Sequence, residues 1–394
     1  MVLLRVALSF LLLLLLPDLY IYRLYVAACR SRLKYLYWLP SLVLLLGLGG
    51  FLLAAESGHT AFGTYLVALL CITVPKVLFV VSDVLLRLCG LRSARSLRIR
   101  SVTALSVAGL GLGYLLYGAL WGKEDFRVRQ VTFTSPDLPA AFDGYRLLQL
   151  SDIHIGNWGD DDAAIRRAVR LCNDQRPDAI VFTGDLVNSR ATELAPFLTA
   201  LSQLQAPDGV YSVLGNHDYG TYARWSSPRE QAANLDTLKR LERQLGWRLL
   251  LNEHHCLHRG SDSIVVVGVE NSGRPPFPDR GDLRRALQGT NGRFRILLSH
   301  DPTHWRREVL PRTDVQLTLS GHTHDMQVSL FGFSVSRWIY PEHRGLYLEG
   351  GRALYVNIGL GYVLFPLRLG AWPEITVITL RTTPMNLSQK NQPK

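Results

Sequence analysis

The chain has 394 residues, a formal net charge of +11, 48% hydrophobic residues and a mean hydropathy of +0.10. This length exceeds one ordinary domain, and the apolar content exceeds that of a typical soluble protein. Five cysteines without a CxxC pair exclude a zinc ribbon or disulfide scaffold, and arginines clustered between apolar runs, rather than interleaved with aromatics, argue against a nucleic-acid groove.

Four apolar runs open the chain, roughly 2–22, 35–55, 62–86 and 101–121, each near the ~20 residues that cross a bilayer core as a helix. They define an all-α transmembrane region over 1–122. The first resembles a signal peptide, but Pro17-Asp18 is no small-residue cleavage site and three runs follow, so it is expected to remain as an anchor. The loop after the first run carries Arg23, Arg30, Arg32 and Lys34, and the loop after the third carries Arg87, Arg92, Arg95, Arg98 and Arg100. On the opposite side stand Arg5, Lys123, Arg127 and Arg129, while loop 56–61 has no basic residue. The positive-inside rule therefore places both termini and the downstream domain outside the cytoplasm. Lys76 and Asp83, seven residues apart on one helix face, read either as functional intramembrane charges or as members of ion pairs. GLGLG at 109–113 has no strand before it and reads as helix-packing glycine.

A linker is expected over 123–142, a catalytic domain over 143–382 and a disordered polar tail over 383–394. Within the domain, apolar strands alternate with helical segments: YRLLQLSD, a helix over 161–174, DAIVFTGD, a helix near 192–205, GVYSVLGN, a helix near 228–245, then WRLLLNE, SIVVVGVE, RILLSH, VQLTLSGH, ALYVNIG and EITVITL. Short, wholly apolar strands imply sheets buried on both faces.

The strand ends are informative. LLQLSDIH closes on Asp152 and His154, IVFTGD on Asp185, and YSVLGNHD on Asn216, His217 and Asp218. ILLSHD closes on His300 and Asp301, and LTLSGHTH on His322 and His324. The carboxyl ends of α/β strands are where such sheets place ligands. Carboxylate, amide oxygen and imidazole together suit manganese, iron or zinc.

The order D-x-H, G-D, G-N-H-D, H, G-H-x-H resembles the calcineurin-like metallophosphoesterase superfamily over about residues 143–380, and in particular membrane-anchored bacterial members with preceding hydrophobic spans. The resemblance implies a four-layer α-β-β-α sandwich with two divalent metal ions at one edge. It implies one metal on Asp152, His154 and His324, a second on Asn216, His300 and His322, and Asp185 bridging them. A metal-bound hydroxide would attack the phosphorus, and His217 would face the leaving-group oxygen. Asp218 would either orient His217 or cap the following helix. Where the family commonly has a small residue, often glycine, after G-H-x-H, this chain has Asp325, which would touch the metal site through water, bind a basic substrate group or, the favoured expectation, point to solvent.

Other clusters rank lower. EHHCLH at 253–258 is expected to be exposed and to hold no metal. Trp158, Tyr219, Tyr222 and Trp225 suit either a substrate mouth or the core, and Arg337, Arg344 and Arg368 are candidate phosphate contacts. The expected protein is thus a membrane-anchored phosphoesterase acting on a phosphomonoester, phosphodiester or pyrophosphate, with lipid-linked substrates and membrane lipids as partners and no nucleic acid. A pyrophosphatase of UDP-2,3-diacylglucosamine type is the alternative within enzymes, although its cytoplasmic substrate conflicts with the orientation above. A non-catalytic scaffold is disfavoured by the intact ligand set, and a transporter by spans with few polar residues.

Overall fold

The computed structural model describes residues 2–53 and 59–382. The tail 383–394 and residues 54–58, between the second and third helical stretches, lie outside the described residues. The chain forms two compact units, Met1–Gly122 with Leu364–Leu369, and Lys123–Val363 with Gly370–Lys394.

The first unit contains α1 (Val2–Ile21), α2 (Leu39–Leu53), α3 (His59–Leu88) and α4 (Ala94–Leu120), which overlap the four apolar runs. Among the described residues, Lys34–Phe51, Ala61–Leu88 and Arg95–Glu124 are helical stretches long and apolar enough to cross a membrane. Lys76 and Asp83 do not pair with each other. Lys76 Nζ lies 2.7 Å from Asp18 Oδ1 and 2.8 Å from Ser41 Oγ. Asp83 accepts from Tyr20 at 2.6 Å, Tyr25 at 2.5 Å and Arg87 at 2.9 Å, with Arg100 at 3.1 Å. Both carboxylates are fully buried. Cations and hydroxyls supplied by other segments, and for Asp83 also by Arg87 of the same helix, meet the demand that a low-dielectric environment places on a buried charge. Within GLGLG, a Cβ on Gly111 would run into Leu78 of α3, whereas Gly109 and Gly113 face open space. Gly111 alone of the three serves close helix packing.

Among its described residues the second unit holds twelve strands: β1 (Arg127–Ser135), β2 (Arg146–Leu150), β3 (Ala179–Phe182), β4 (Val210–Ser212), β5 (Arg248–Leu249), β6 (Glu253–Arg259), β7 (Asp262–Gly268), β8 (Phe294–Leu298), β9 (Leu317–Ser320), β10 (Gly345–Glu349), β11 (Arg352–Val356) and β12 (Glu374–Thr382). One sheet has the order β1-β12-β2-β3-β4-β5 and the other β10-β11-β9-β8-β7-β6. Because successive side chains alternate between faces, Leu147, Val181, Val213, Val266, Ile296 and Leu319 fill the space between the sheets. Leu148, Ile180 and Val377 pack outward against α5 (Ala163–Asp174) and α7 (Pro228–Gln244) through Ile165, Val169 and Leu238. Val265, Val267 and Leu297 pack outward on the other side against Leu283, Trp305 and Val309. The result is the expected helix-sheet-sheet-helix stack.

Three expectations need correction. Residues 123–142 are not a free linker, since β1 pairs with β12 in parallel over its whole length. EHHCLH, expected to be exposed, is largely half-buried in strand β6, antiparallel to β7, where His254 Nδ1 meets the Ala286 carbonyl at 2.9 Å and His255 stacks on Tyr211. The helix expected near 192–205 is a 3-10 stretch, Ala191–Phe197, followed by one α-turn over Leu198–Leu201. Pro196 removes a backbone donor and prevents a continuous α-helix.

One buried acid in this frame sets a pH dependence. Glu242 of α7 accepts from the Ser212 hydroxyl at 2.6 Å. Burial first, and then the charge of Asp218, push its carboxyl from 4.5 up to about 8. The folded state thus holds a proton that the unfolded chain has released. The corresponding stability is present in full below about pH 4.5 and is lost as pH rises through about 8, with a slope of up to about 1.4 kcal/mol per pH unit between them. Glu242→Gln should flatten the fall in melting temperature between about pH 5 and 8; an unchanged slope would refute this assignment.

Candidate metal centre

Five apolar strands stop at one edge of the two sheets, and the residues that follow them converge. β2 leads into Asp152 and His154, β3 into Asp185, β4 into Asn216 and His217, β8 into His300, and β9 into His322 and His324. Asp152, His154 and His324 place ligand atoms within 4.8 Å of one another, and so do Asp185, His300 and His322. His154 Nε2 faces His324 Nε2 at 3.1 Å, with Asp152 Oδ1 3.2 Å from the latter. His300 Nε2 lies 3.1 Å from Asn216 Oδ1, 3.2 Å from Asp185 Oδ2 and 3.3 Å from His322 Nδ1. Asp185 Oδ2 also lies 3.6 Å from His154 Nε2, between the two groups.

The backbone is bent to make this possible. Asp152, His154, Asp185, His322 and His324 all have positive φ, between 47° and 74°. Left-handed non-glycine residues are uncommon, and their strain tends to concentrate at functional sites. Two glycines admit the close approach. A Cβ on Gly215 would collide with Asp185, and one on Gly321 with Ser151 and Asp152. G-N-H-D and G-H-T-H therefore need their glycines for room at the centre.

Charge sets the protonation pattern. Burial pushes the His154 imidazole well below its usual pKa, and His217 reinforces the shift. Burial would also lower His300, but Asp185 and Asp152 outweigh it and raise that imidazole to about 10. His300 donates Nδ1–H to the Thr183 carbonyl at 2.7 Å, leaving Nε2 directed at the centre. Two imidazole nitrogens held 3.1 Å apart share at most one proton, whereas a divalent cation would satisfy both lone pairs and the adjoining carboxylates. This donor set fits divalent metal ions.

The comparisons agree. Residues 145–326 match the family described as calcineurin-like phosphoesterase, and residues 4–123 match the probable calcineurin-like phosphoesterase transmembrane domain. The uncharacterized metallophosphoesterase YkuE of Bacillus subtilis is 32% identical over 70% of this chain and 92% of its own length. The chain belongs to the calcineurin-like metallophosphoesterases. A zebrafish (Danio rerio) transmembrane protein with metallophosphoesterase domain is 32% identical over 68% of this chain and 60% of its own. The UDP-2,3-diacylglucosamine pyrophosphatase LpxG of Chlamydia trachomatis is 30% identical over 60% and 83%. This metallophosphoesterase is thus a metal-dependent hydrolase of phosphoesters with a transmembrane domain.

Several side chains in the metallophosphoesterase stand where the sequence did not place them. His217 donates Nδ1–H to the Asn188 carbonyl at 2.8 Å and stacks on Tyr222 at 4.2 Å. Asp218 therefore does not orient this imidazole, and it does not cap a following helix. Its fully buried carboxylate accepts backbone N–H groups of Asp185 at 2.8 Å, Leu186 at 2.9 Å, Val187 at 3.2 Å and Gly215 at 2.8 Å. It splints two of the converging loops together. Asp218→Ala should lower stability by on the order of 3 kcal/mol, because four buried donors lose their acceptor; a melting temperature equal to the parent's would rule this role out.

Asp325 is buried, contrary to the expectation of solvent exposure. Arg344 Nη1 lies 3.0 Å from its Oδ2, and Arg344 also reaches Ser329 Oγ and the Gly332 carbonyl. Arg344 is thus engaged in holding a loop. Arg368 is buried, and Arg337 is exposed beside Phe333. Of the aromatics, Tyr222 is at the centre, its hydroxyl 2.9 Å from Asn216 Nδ2. Tyr219 is buried in the core, Trp158 packs between Phe126 and Tyr362, and Trp225 donates to the Gly220 carbonyl. Tyr340, whose hydroxyl is 3.0 Å from His322 Nε2, and Asn188 were missed. They contribute a remote hydroxyl and a backbone carbonyl, neither of which marks itself in a sequence.

Proposed function

We propose that this chain is a multi-pass membrane phosphoesterase whose second unit holds two divalent cations, manganese, iron or zinc. In this reading Asp152, His154 and His324 hold one, Asn216, His300 and His322 the other, and Asp185 is shared. The convergence of these seven residues from the ends of five strands carries the reading. When bound, the cation pair supplies Lewis acidity that neutralises charge on the phosphoryl group and lowers the pKa of water. The chain's own residues do the rest. His300, pinned through Nδ1, keeps Nε2 fixed on its target, and Tyr340 holds His322 Nε2 so that Nδ1 points inward. His217, with Nδ1 anchored on Asn188, offers Nε2 to the leaving oxygen and can deliver a proton there. Hydrolysis of bis(p-nitrophenyl) phosphate by the detergent-solubilised chain, measured with and without manganese, tests the reading. No metal-dependent turnover of this or a simple phosphomonoester would overturn it.

A transmembrane region in the same chain as the catalytic unit favours substrates carried by lipids, and the Chlamydia relative's named substrate is of that kind. We place the catalytic unit outside the cytoplasm from the loop arginines, which weighs against a cytoplasmic UDP-diacylglucosamine substrate. An alkaline phosphatase fused after residue 382 should be active, and a fluorescent protein there dark when exported unfolded. The opposite pair of readouts would reverse the orientation and restore the pyrophosphatase alternative.

A further inference from the structure

The chain leaves the centre directly after His324 and forms a lobe, Met326–Pro341, that is unusually apolar on its outside. Phe331 is fully exposed, Trp338 is 74% and Ile339 56% exposed, and Leu330, Phe333 and Val335 are also open. Arg337 is the single charged residue in this stretch. The lobe has a built shape. Leu330 and Phe333 exchange backbone hydrogen bonds of 2.8 and 2.9 Å, and Phe333 and Trp338 meet edge to face at 5.3 Å. Ser334 Oγ donates to the Asp325 carbonyl at 2.7 Å, while Arg344 ties Asp325, Ser329 and Gly332 together. The pair of buried Asp325 and half-buried Arg344 therefore braces an outward-facing aromatic tip. Tyr340 at the far end of the lobe reaches back to His322.

An exposed patch of this kind marks a binding surface. Aromatic and aliphatic side chains around one arginine, with no acid, suit the headgroup level of a bilayer, where tryptophan and arginine are enriched and phosphates are negative. A second copy fits less well, because a two-fold contact would bring the two uncompensated Arg337 side chains into one apolar interface.

We propose that this lobe inserts its aromatic tip into the lipid–water interface. It would thereby present the neighbouring centre to phosphate groups borne by membrane lipids; that second step rests on the phosphoesterase reading, whereas insertion does not. The test replaces Phe331 with an environment-sensitive fluorescent amino acid in the full chain, reconstituted one per nanodisc of phosphatidylcholine and phosphatidylglycerol. The same amino acid at the exposed position Gln288 serves as control. At 331 the emission should shift to the blue, lose intensity with brominated phosphatidylcholine and resist aqueous iodide, with the reverse at 288. Iodide quenching at 331 equal to that at 288 would overturn the proposal. So would shielding from iodide without quenching by brominated lipid, which would mean that protein covers the tip. Manganese-dependent turnover of bis(p-nitrophenyl) phosphate by the same preparation reports separately on the chemistry.

Discussion

Asp185→Asn should reduce metal-dependent turnover ~1,000-fold, which is the several kcal/mol that cation stabilisation of a phosphoryl group supplies. Asp185 Oδ2 stands between His300 and His154, while Oδ1 accepts the His217 backbone N–H at 2.8 Å. An asparagine oxygen keeps that backbone hydrogen bond, so the loop should retain its shape. What it loses is the negative charge shared by both groups of donors. Elemental analysis of the purified variant should show fewer cations per chain, with a circular dichroism spectrum like the parent's. Full turnover with full metal content would remove Asp185 from the centre altogether.

His217→Ala should lower turnover about 100- to 10,000-fold, the usual range for loss of a positioned acid, while leaving metal content unchanged. That separation is the useful part. Among the described residues His217 belongs to one of the converging groups, with His154 and Asp185, so a role as ligand must be distinguished from a role as proton donor. A donor matters most when the departing oxygen is basic. The loss should therefore be greater with an alkyl phosphoester than with a p-nitrophenyl ester, whose leaving group departs without help. An equal loss on both substrates, or depletion of metal, would point to cation binding instead.

The converging residues were legible because each closes a short apolar run, and a strand's end is fixed by where its apolar residues stop. Side chains that act on them were not legible. Asp218 follows His217 in sequence, yet its carboxylate turns away to receive amides of the β3 and β4 loops, a relationship set by how two strands lie side by side. β1 was missed for a similar reason. Its stretch RVRQVTFTS is half polar and exposed, and it becomes a strand through its nine-residue pairing with β12 at the far end of the chain. Asp325 combines both difficulties. With φ of 48° it takes a backbone conformation natural to glycine, the residue the family resemblance suggested. Its burial depends on Arg344, nineteen residues onward.

The donors of the centre come from both layers of the sandwich: Asp152, Asp185 and Asn216 follow strands of one sheet, and His300, His322 and His324 follow strands of the other. Cations bound there would act as removable cross-links between the two sheets. Their affinity would then be coupled to the strength with which the layers adhere, since a ligand that binds only the folded form adds its mass-action term to folding. Chelation should accordingly loosen the metal-bearing edge before the opposite one, giving the catalytic unit an unzipping direction that neither sheet would have alone.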